Sequence, residues 1–334
     1  MSTFDSTTPS TEIDDFRRNL PQAPEAESGC YHDCAMSFGC SSQGSLDVIL
    51  GVAVACLLLS TLTAAPLAAQ SGIFSSGFES GNILEWDPPT VFRFNDLDLR
   101  DPHVIADLGV LGCNDITDDG GLFPSVNDLI QDGITMDSEP DGFLDLNILV
   151  QFRPFDPAGM GQRVDQRYGI CTAPLAGTQC THDPNVDGTI FWYDTLPMGG
   201  GTCLEPVSGS TSAYSPPIST PTSPCFVTLE GNLSVGFLGV AFPLQRAQMA
   251  ATLVGGPPLE LTDGLMMGFL SEADADTLTF PGDVPFVGGD PLSSVLPGGA
   301  TNCDPGDDTD LLDTVRGWWF YFNFVAAEVP YEGY

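Results

Sequence analysis

The sequence predicts an all-β protein, a jelly-roll-like β-sandwich with a few short helices and long loops. Three observations carry this. From position 90 onward, apolar residues recur with a period of two, the side-chain periodicity of a strand. The apolar runs are short, and 37 glycines and 28 prolines punctuate them, as turns between strands require. Helix-start signals occur only at isolated points and lead into brief patterns.

Taken in order, Val91, Phe92, Phe94, Leu97 and Leu99 form a first, partly alternating run. Residues 143–155 alternate more clearly, and 189–193, 225–229 and 233–242 follow. Residues 253–261 enclose Gly255-Gly256-Pro257-Pro258 and therefore contain a turn, and 265–270 and 315–325 complete the strand set. Ser125 followed by Asp128, and Ser271 followed by Asp274, have the spacing at which a side-chain oxygen caps a helix. A third short helix is expected over residues 309–315.

Upstream the composition differs. An uncharged apolar run covers residues 48–69 and ends in Ala64, Ala65, Pro66, Leu67, Ala68 and Ala69. An apolar run closed by small residues reads as an export signal, here residues 46–69, with cleavage after it. The alternative is an uncleaved anchor, because the run is long enough to span a bilayer. Arg17 and Arg18 lie too far upstream to flank the run. Residues 1–45 are then a polar leader, or residues 1–35 are an extension preceding a start at Met36. Residues 70–89 form a linker, and 90–334 form the β domain. Cleavage leaves a protein outside the cytoplasm with no stable membrane insertion.

The linker contains Ile73-Phe74-Ser75-Ser76-Gly77-Phe78-Glu79-Ser80-Gly81, with Trp86 following. This resembles the "IFxDGFESGxxxxW" segment near the mature N-terminus of many exported bacterial proteins, with Ser76 where an acid is usual. The resemblance implies a bacterial secreted protein and no particular activity.

The chain has 45 acidic against 9 basic residues, all nine of them arginine, for a net charge of −36. Such a charge repels nucleic acid and anionic membrane surfaces, and it attracts cations. It is equally the mark of a heavily solvated surface suited to salty water. Six of the ten cysteines, Cys113, Cys171, Cys180, Cys203, Cys225 and Cys303, follow the export segment. An even number in an oxidising compartment reads as three disulfides. Local closure favours Cys171–Cys180 and Cys203–Cys225, which leaves Cys113–Cys303 as the long-range link. Residues 207–224, rich in Ser, Thr and Pro, lie inside the second loop, where tying the ends limits chain entropy.

The pattern Asp-x-x-x-Asp-Gly recurs, starting at Asp115, Asp128, Asp137 and Asp183. Calcium needs six to eight oxygens, and alternate positions of a tight loop converge to supply them. The fullest version has Asp183, Asn185, Asp187 and Thr189, with Asp194 at position 12. It resembles the calcium loop of EF-hand and dockerin modules, although Phe191 stands at position 9 and a strand is expected to follow. The second has Asp137, Glu139, Asp141 and Asp145, with Ile148 at position 12. Calcium is thus the expected cofactor; the alternative is plain Asp-Gly turns between strands.

No Gly-x-Ser-x-Gly elbow and no His-Glu-x-x-His motif occurs, and the exported part has two histidines, His103 and His182. In the aromatic run at 318–324, alternation sends Trp318, Phe320, Phe322 and Phe324 to the core. Trp319 and Tyr321 go to the opposite face, as a candidate sugar-stacking platform. These readings point to a secreted, calcium-stabilised, non-catalytic binding, adhesion or envelope protein whose partner is a glycan or cell-surface ligand. The alternatives are an exported hydrolase acting on polysaccharide and a passive structural protein with a salt-adapted surface.

Overall fold

The computed structural model describes residues 89–332 apart from 119–123, 238, 283, 285–286, 301–302 and 304–305. The leader, the export segment at 46–69 and the Ile73–Trp86 motif lie outside the described residues. Among the described residues no helix is long and apolar enough to cross a membrane.

The protein is all-β, and its main sheet closes on itself. Strands β1 (Thr90–Asp101), β4 (Ile148–Arg153), β5 (Gln162–Cys171), β7 (Thr189–Leu196), β8 (Cys225–Thr228), β10 (Val240–Gly255), β11 (Pro258–Ser271) and β13 (Val315–Glu328) form a ring. Pairing runs β5–β4–β1–β13–β11–β10–β8–β7 and returns from β7 to β5, antiparallel at every step. The two layers expected of a sandwich are therefore joined along both sides, which leaves no open sheet edge in the ring. Shorter strands attach outside it. β2 (Ile105–Asp107) pairs with β3 (Cys113–Asp115), and β6 (Cys180–His182) pairs with β5 and with β14 (Tyr331–Glu332). β9 (Gly231–Phe237) pairs with the first half of β10, and β12 (Asp310–Leu312) with β13.

The inward side chains account for the ring. Phe92, Phe94, Phe152, Tyr193, Phe226, Phe320, Phe322 and Phe324 are all buried in one continuous core. Phe152 sits at its centre, edge-on to Tyr193 and Phe226 at 5.0 Å each. Full burial of each such ring is worth about 1.5–3 kcal/mol relative to exposure. Phe94 stacks on Phe324 at 4.3 Å, and Gly264 makes room: a Cβ there would lie 2.6 Å from the Phe324 ring.

Helix α1 (Val126–Thr135) starts as expected, with a reciprocal capping box between Ser125 and Asp128. It lies beside β1 beyond the point where β4 stops pairing. There the Asn127 side chain accepts the Leu99 N–H and donates to the Leu99 carbonyl, and Gln131 donates to the Asn95 carbonyl. Two side chains thus substitute for a missing strand. Arg93, fully buried, donates to Asn147 and to the carbonyls of Phe94, Ile134 and Leu146. Burial lowers its pKa to about 10. The four-residue helix α2 (Glu272–Ala275) is capped by Ser271, whose hydroxyl accepts the Asp274 N–H.

Two expectations are corrected. The third helix at 309–315 is instead β12 and its turn into β13, because Asp313 takes a positive φ of 57° and reverses the chain. The strand expected over 143–155 runs only over Ile148–Arg153, and Phe143 makes an isolated bridge to Thr172. β5 carries no strand signal in the sequence, because Gln162 and Gln166 at inward positions break the apolar alternation.

Disulfides join Cys113–Cys303, Cys171–Cys180 and Cys203–Cys225, the pairing that local closure favours. The last ties the ends of an irregular strap, residues 203–225, which lies on the outer face of β11 and β13. Val207 N–H donates to the Tyr321 hydroxyl, and Asn323 exchanges hydrogen bonds with the Ser219 backbone at 2.8 Å each.

Candidate functional site

The strap overturns the expected aromatic platform. Trp319 and Tyr321 do point outward, but they are only 6% and 0% exposed. They pack with Leu265, Met267 and Phe269 beneath Leu204, Val207 and Ile218. A sugar cannot reach them while the strap is in place.

The Asp183 loop joins β6 to β7. Asp183 accepts from the Asn185 backbone and side chain at 2.9 and 3.0 Å. Asp187 leads into Gly188, and Thr189 opens β7. Five residues of strand then carry Asp194 roughly 16 Å beyond Thr189. There it accepts the Gly161 N–H at 2.7 Å, so it cannot complete a site with Asp183. Gly188 has a different role: a Cβ there would lie 2.4 Å from the Cγ of Arg167, whose side chain crosses it. In the Asp137 loop, both Asp137 oxygens accept N–H groups, from Asp141 at 3.1 Å and Gly142 at 2.9 Å. Asp141 caps Phe143, and Asp145 accepts the Ser138 N–H, while Glu139 is exposed. Asp137, Asp141 and Asp145 thus share one turn, each with oxygen lone pairs to spare. Among the described residues, no group of three or more His, Cys, Asp or Glu side chains is gathered closely enough to hold a metal ion.

The structure assembles a different site on the outer face of β4, β5 and β7. Because Val150, Phe152, Val164, Phe191 and Tyr193 point into the core, their sequence neighbours point out. Register places Arg153, Arg163 and Trp192 side by side across the three strands, with Gln151, Asp165 and Ile190 in the next row. Arg167 lies one step further along β5. Asp165 is fully buried under these groups. Arg163 holds it with two bonds, Nε to Oδ1 at 2.6 Å and Nη2 to Oδ2 at 2.9 Å. Arg167 Nη2 reaches Oδ2 at 3.2 Å, and Arg153 Nε stands 3.5 Å from the same oxygen while its Nη2 donates to Gln151. Three guanidinium groups therefore share one carboxylate.

Elsewhere among the described residues, the surface arginines have carboxylates of their own. Arg100 pairs with Asp98 and Asp118, Arg246 with Glu230, and Arg316 with Glu272 and Asp307. Beside the arginine cluster, Trp192 and Ile190 are 54% and 53% exposed, and Leu229, bonded through its N–H to the Trp192 carbonyl, is also exposed. The face thus combines fixed cationic forks with an accessible aromatic ring, a pairing suited to an anionic group carried on an apolar or sugar frame.

A second polar cluster fastens the strap at the end of β1. Ser212 donates its N–H to Asp101 at 2.7 Å and its hydroxyl to Asp308 at 2.6 Å. The Tyr214 hydroxyl also donates to Asp308, and its ring stacks on His103 at 3.6 Å, while His103 Nδ1 bonds Asp115. Burial is the main cause that pushes the Asp101 pKa up to about 7; Asp308 adds to it and the Ser212 N–H opposes it. Burial, then the Asp308 carboxylate, also raises that of Tyr214. Asp101 and His103 are each 3% exposed and face the strap. A cavity of about 540 Å³, lined by Ser234, Leu244 and Gln245 among others, holds the single carboxylate of Asp274, which already accepts the Ser271 hydroxyl. Glycoside hydrolysis needs two such groups facing one bond.

No protein-family model matches the sequence, and neither a curated protein nor a solved structure is significantly similar to it.

Proposed function

We propose that this is an exported, non-catalytic binding protein that meets its ligand on the outer face of β4, β5 and β7. The observation that carries the proposal is the sharing of Asp165 by Arg153, Arg163 and Arg167 beside the exposed Trp192, in a chain of net charge −36. Local positive charge is scarce in this protein, and its concentration on one outer sheet face is what a docking surface needs. Export through the segment at 48–69 belongs to the same proposal, and the three disulfides suit an oxidising compartment.

The test is retention of the purified, oxidised protein on a panel of immobilised polysaccharides and cell surfaces, alongside an assay for newly released sugar ends. Retention that Trp192→Ala reduces at least tenfold, with no sugar ends released, is the expected result. Release of sugar ends by the wild-type protein would favour the hydrolase instead.

Calcium enters the proposal through the spacing of Asp137, Asp141 and Asp145 along one loop, whose side chains binding would have to draw together. Calcium is expected to raise the melting temperature by a few degrees over chelator at fixed ionic strength, and Asp137→Asn with Asp141→Asn to abolish the rise. A site saturated a hundredfold over its Kd adds about 2.7 kcal/mol. Equal melting in calcium and chelator would remove the metal from this reading.

A further inference from the structure

The geometry points to an acidic sugar as the ligand, its carboxylate or sulfate held by Arg153, Arg163 and Arg167 and its ring laid on Trp192. This rests on the binding face proposed above and names what that face selects.

The argument begins with Asp165. It is fully buried, and its two oxygens accept the Nε and Nη2 edge of Arg163 and the Nη2 of Arg167. One carboxylate balances one of three positive charges and draws the guanidinium groups together, where they repel one another. A second anion above them relieves that repulsion. A guanidinium presents five donors in a planar fork; the bonds to Asp165 and Gln151 leave the Nη1 of each group unengaged, while the Nε groups of Arg153 and Arg167 are buried without a hydrogen-bond partner. Planar, bidentate donors match the oxygens of a carboxylate or sulfate. Their positions are also fixed before binding: Gly188 lets Arg167 lie flat across the β7 entrance, and Gln151 braces Arg153 at 3.0 Å. Little side-chain freedom remains to be lost on contact.

Trp192 decides what carries the anion. It stands directly across from Arg163 in the β5–β7 register, so a group touching both spans one inter-strand spacing, about 4.8 Å. A sugar ring with an acidic substituent has that reach, and its apolar face suits an exposed indole. The overall charge of −36 does not prevent this. Charges beyond about 8 Å are largely screened at physiological ionic strength, whereas the forks act at contact. Nucleic acid is the poorer fit: its duplex carries one charge per roughly 1.7 Å, so most of its phosphates would face acidic surface.

The test measures binding of the full-length processed protein to a polyuronate, a sulfated polysaccharide, a matched neutral polysaccharide, a nucleic acid and inorganic sulfate. It compares wild type with Arg153→Gln, Arg167→Gln and Trp192→Ala. Arg163 is left intact because it makes the two bonds to buried Asp165 on which local folding depends. Each arginine substitution is expected to weaken binding of an acidic polysaccharide about tenfold or more, and Trp192→Ala similarly, with melting temperatures near wild type. The polyuronate and sulfated arms show which anion is preferred. Equal affinity for neutral and acidic polysaccharides, sensitive to Trp192→Ala alone, would overturn the acidic-sugar inference and leave the binding face standing. Stronger binding of nucleic acid at the same arginines would likewise overturn it. Absence of any polysaccharide binding sensitive to these three substitutions would overturn the inference and the proposed face together.

Discussion

Asp101→Asn is expected to stabilise the protein at neutral pH, by up to about 4 kcal/mol, and to lose that advantage as the pH falls toward 4. Asp101 ends β1 at 3% exposure, and burial, with Asp308 and Asp310 nearby, raises its pKa from 3.8 to about 7. The folded state therefore holds this proton more tightly than the unfolded state does. Below the unfolded pKa both states are protonated and the folded state bears no penalty. As pH rises from about 4 to about 7, the unfolded chain ionises while the folded carboxyl resists, and stability falls. Roughly three pKa units at about 1.4 kcal/mol each set the ceiling. Asparagine avoids the penalty, and its side-chain oxygen still accepts the Ser212 N–H. Denaturant unfolding of both proteins at pH 4, 6 and 8 checks this. A stability difference that stays constant across that range would mean that the buried charge is not its source.

Replacing Cys113 and Cys303 together with serine is expected to destabilise the protein by about 5 kcal/mol, and replacing Cys171 and Cys180 by about half as much. The first pair closes 190 residues and the second 9. Chain entropy withheld from the unfolded state grows with the logarithm of that length, giving about 5 and about 2.6 kcal/mol. The long link also joins the β2–β3 hairpin to the segment leading into β12 and β13. Urea midpoints of the two double variants, with the other disulfides oxidised, give the comparison. A larger loss from the short pair would show that native packing around Cys171 and Cys180, both fully buried, outweighs loop entropy.

Much of the fold was legible in the sequence because core strands announce themselves. In β13, Trp318, Phe320, Phe322 and Phe324 alternate into the core as their spacing requires, and in β7 Phe191 and Tyr193 do the same. The capping residues Ser125 and Ser271 were equally readable, since a helix start is a local event. β5 was not. Its inward positions are Gln162, Val164, Gln166 and Tyr168, and its outward ones Arg163, Asp165 and Arg167, so it lacks the apolar alternation that marks a strand. The strand that carries the proposed site is therefore the one whose pattern was least strand-like. A local signal did exist: three of nine arginines fall between positions 153 and 167 of a strongly acidic chain.

By itself the sequence determined the all-β class, the helix starts and the cysteines available for three disulfides, because each depends on residue type, spacing or chain-local closure. Only the tertiary structure decided that β7 returns to β5 and closes the ring, because pairing between distant strands leaves no mark in either strand. It also decided which aromatic residues meet solvent. Trp319 and Tyr321 are covered by a strap fastened through Tyr321, Asn323 and Asp308, whereas Trp192 stays open on a face where nothing among the described residues is laid over it. Alternation tells which way a side chain points, but whether another segment lies over it depends on long-range packing.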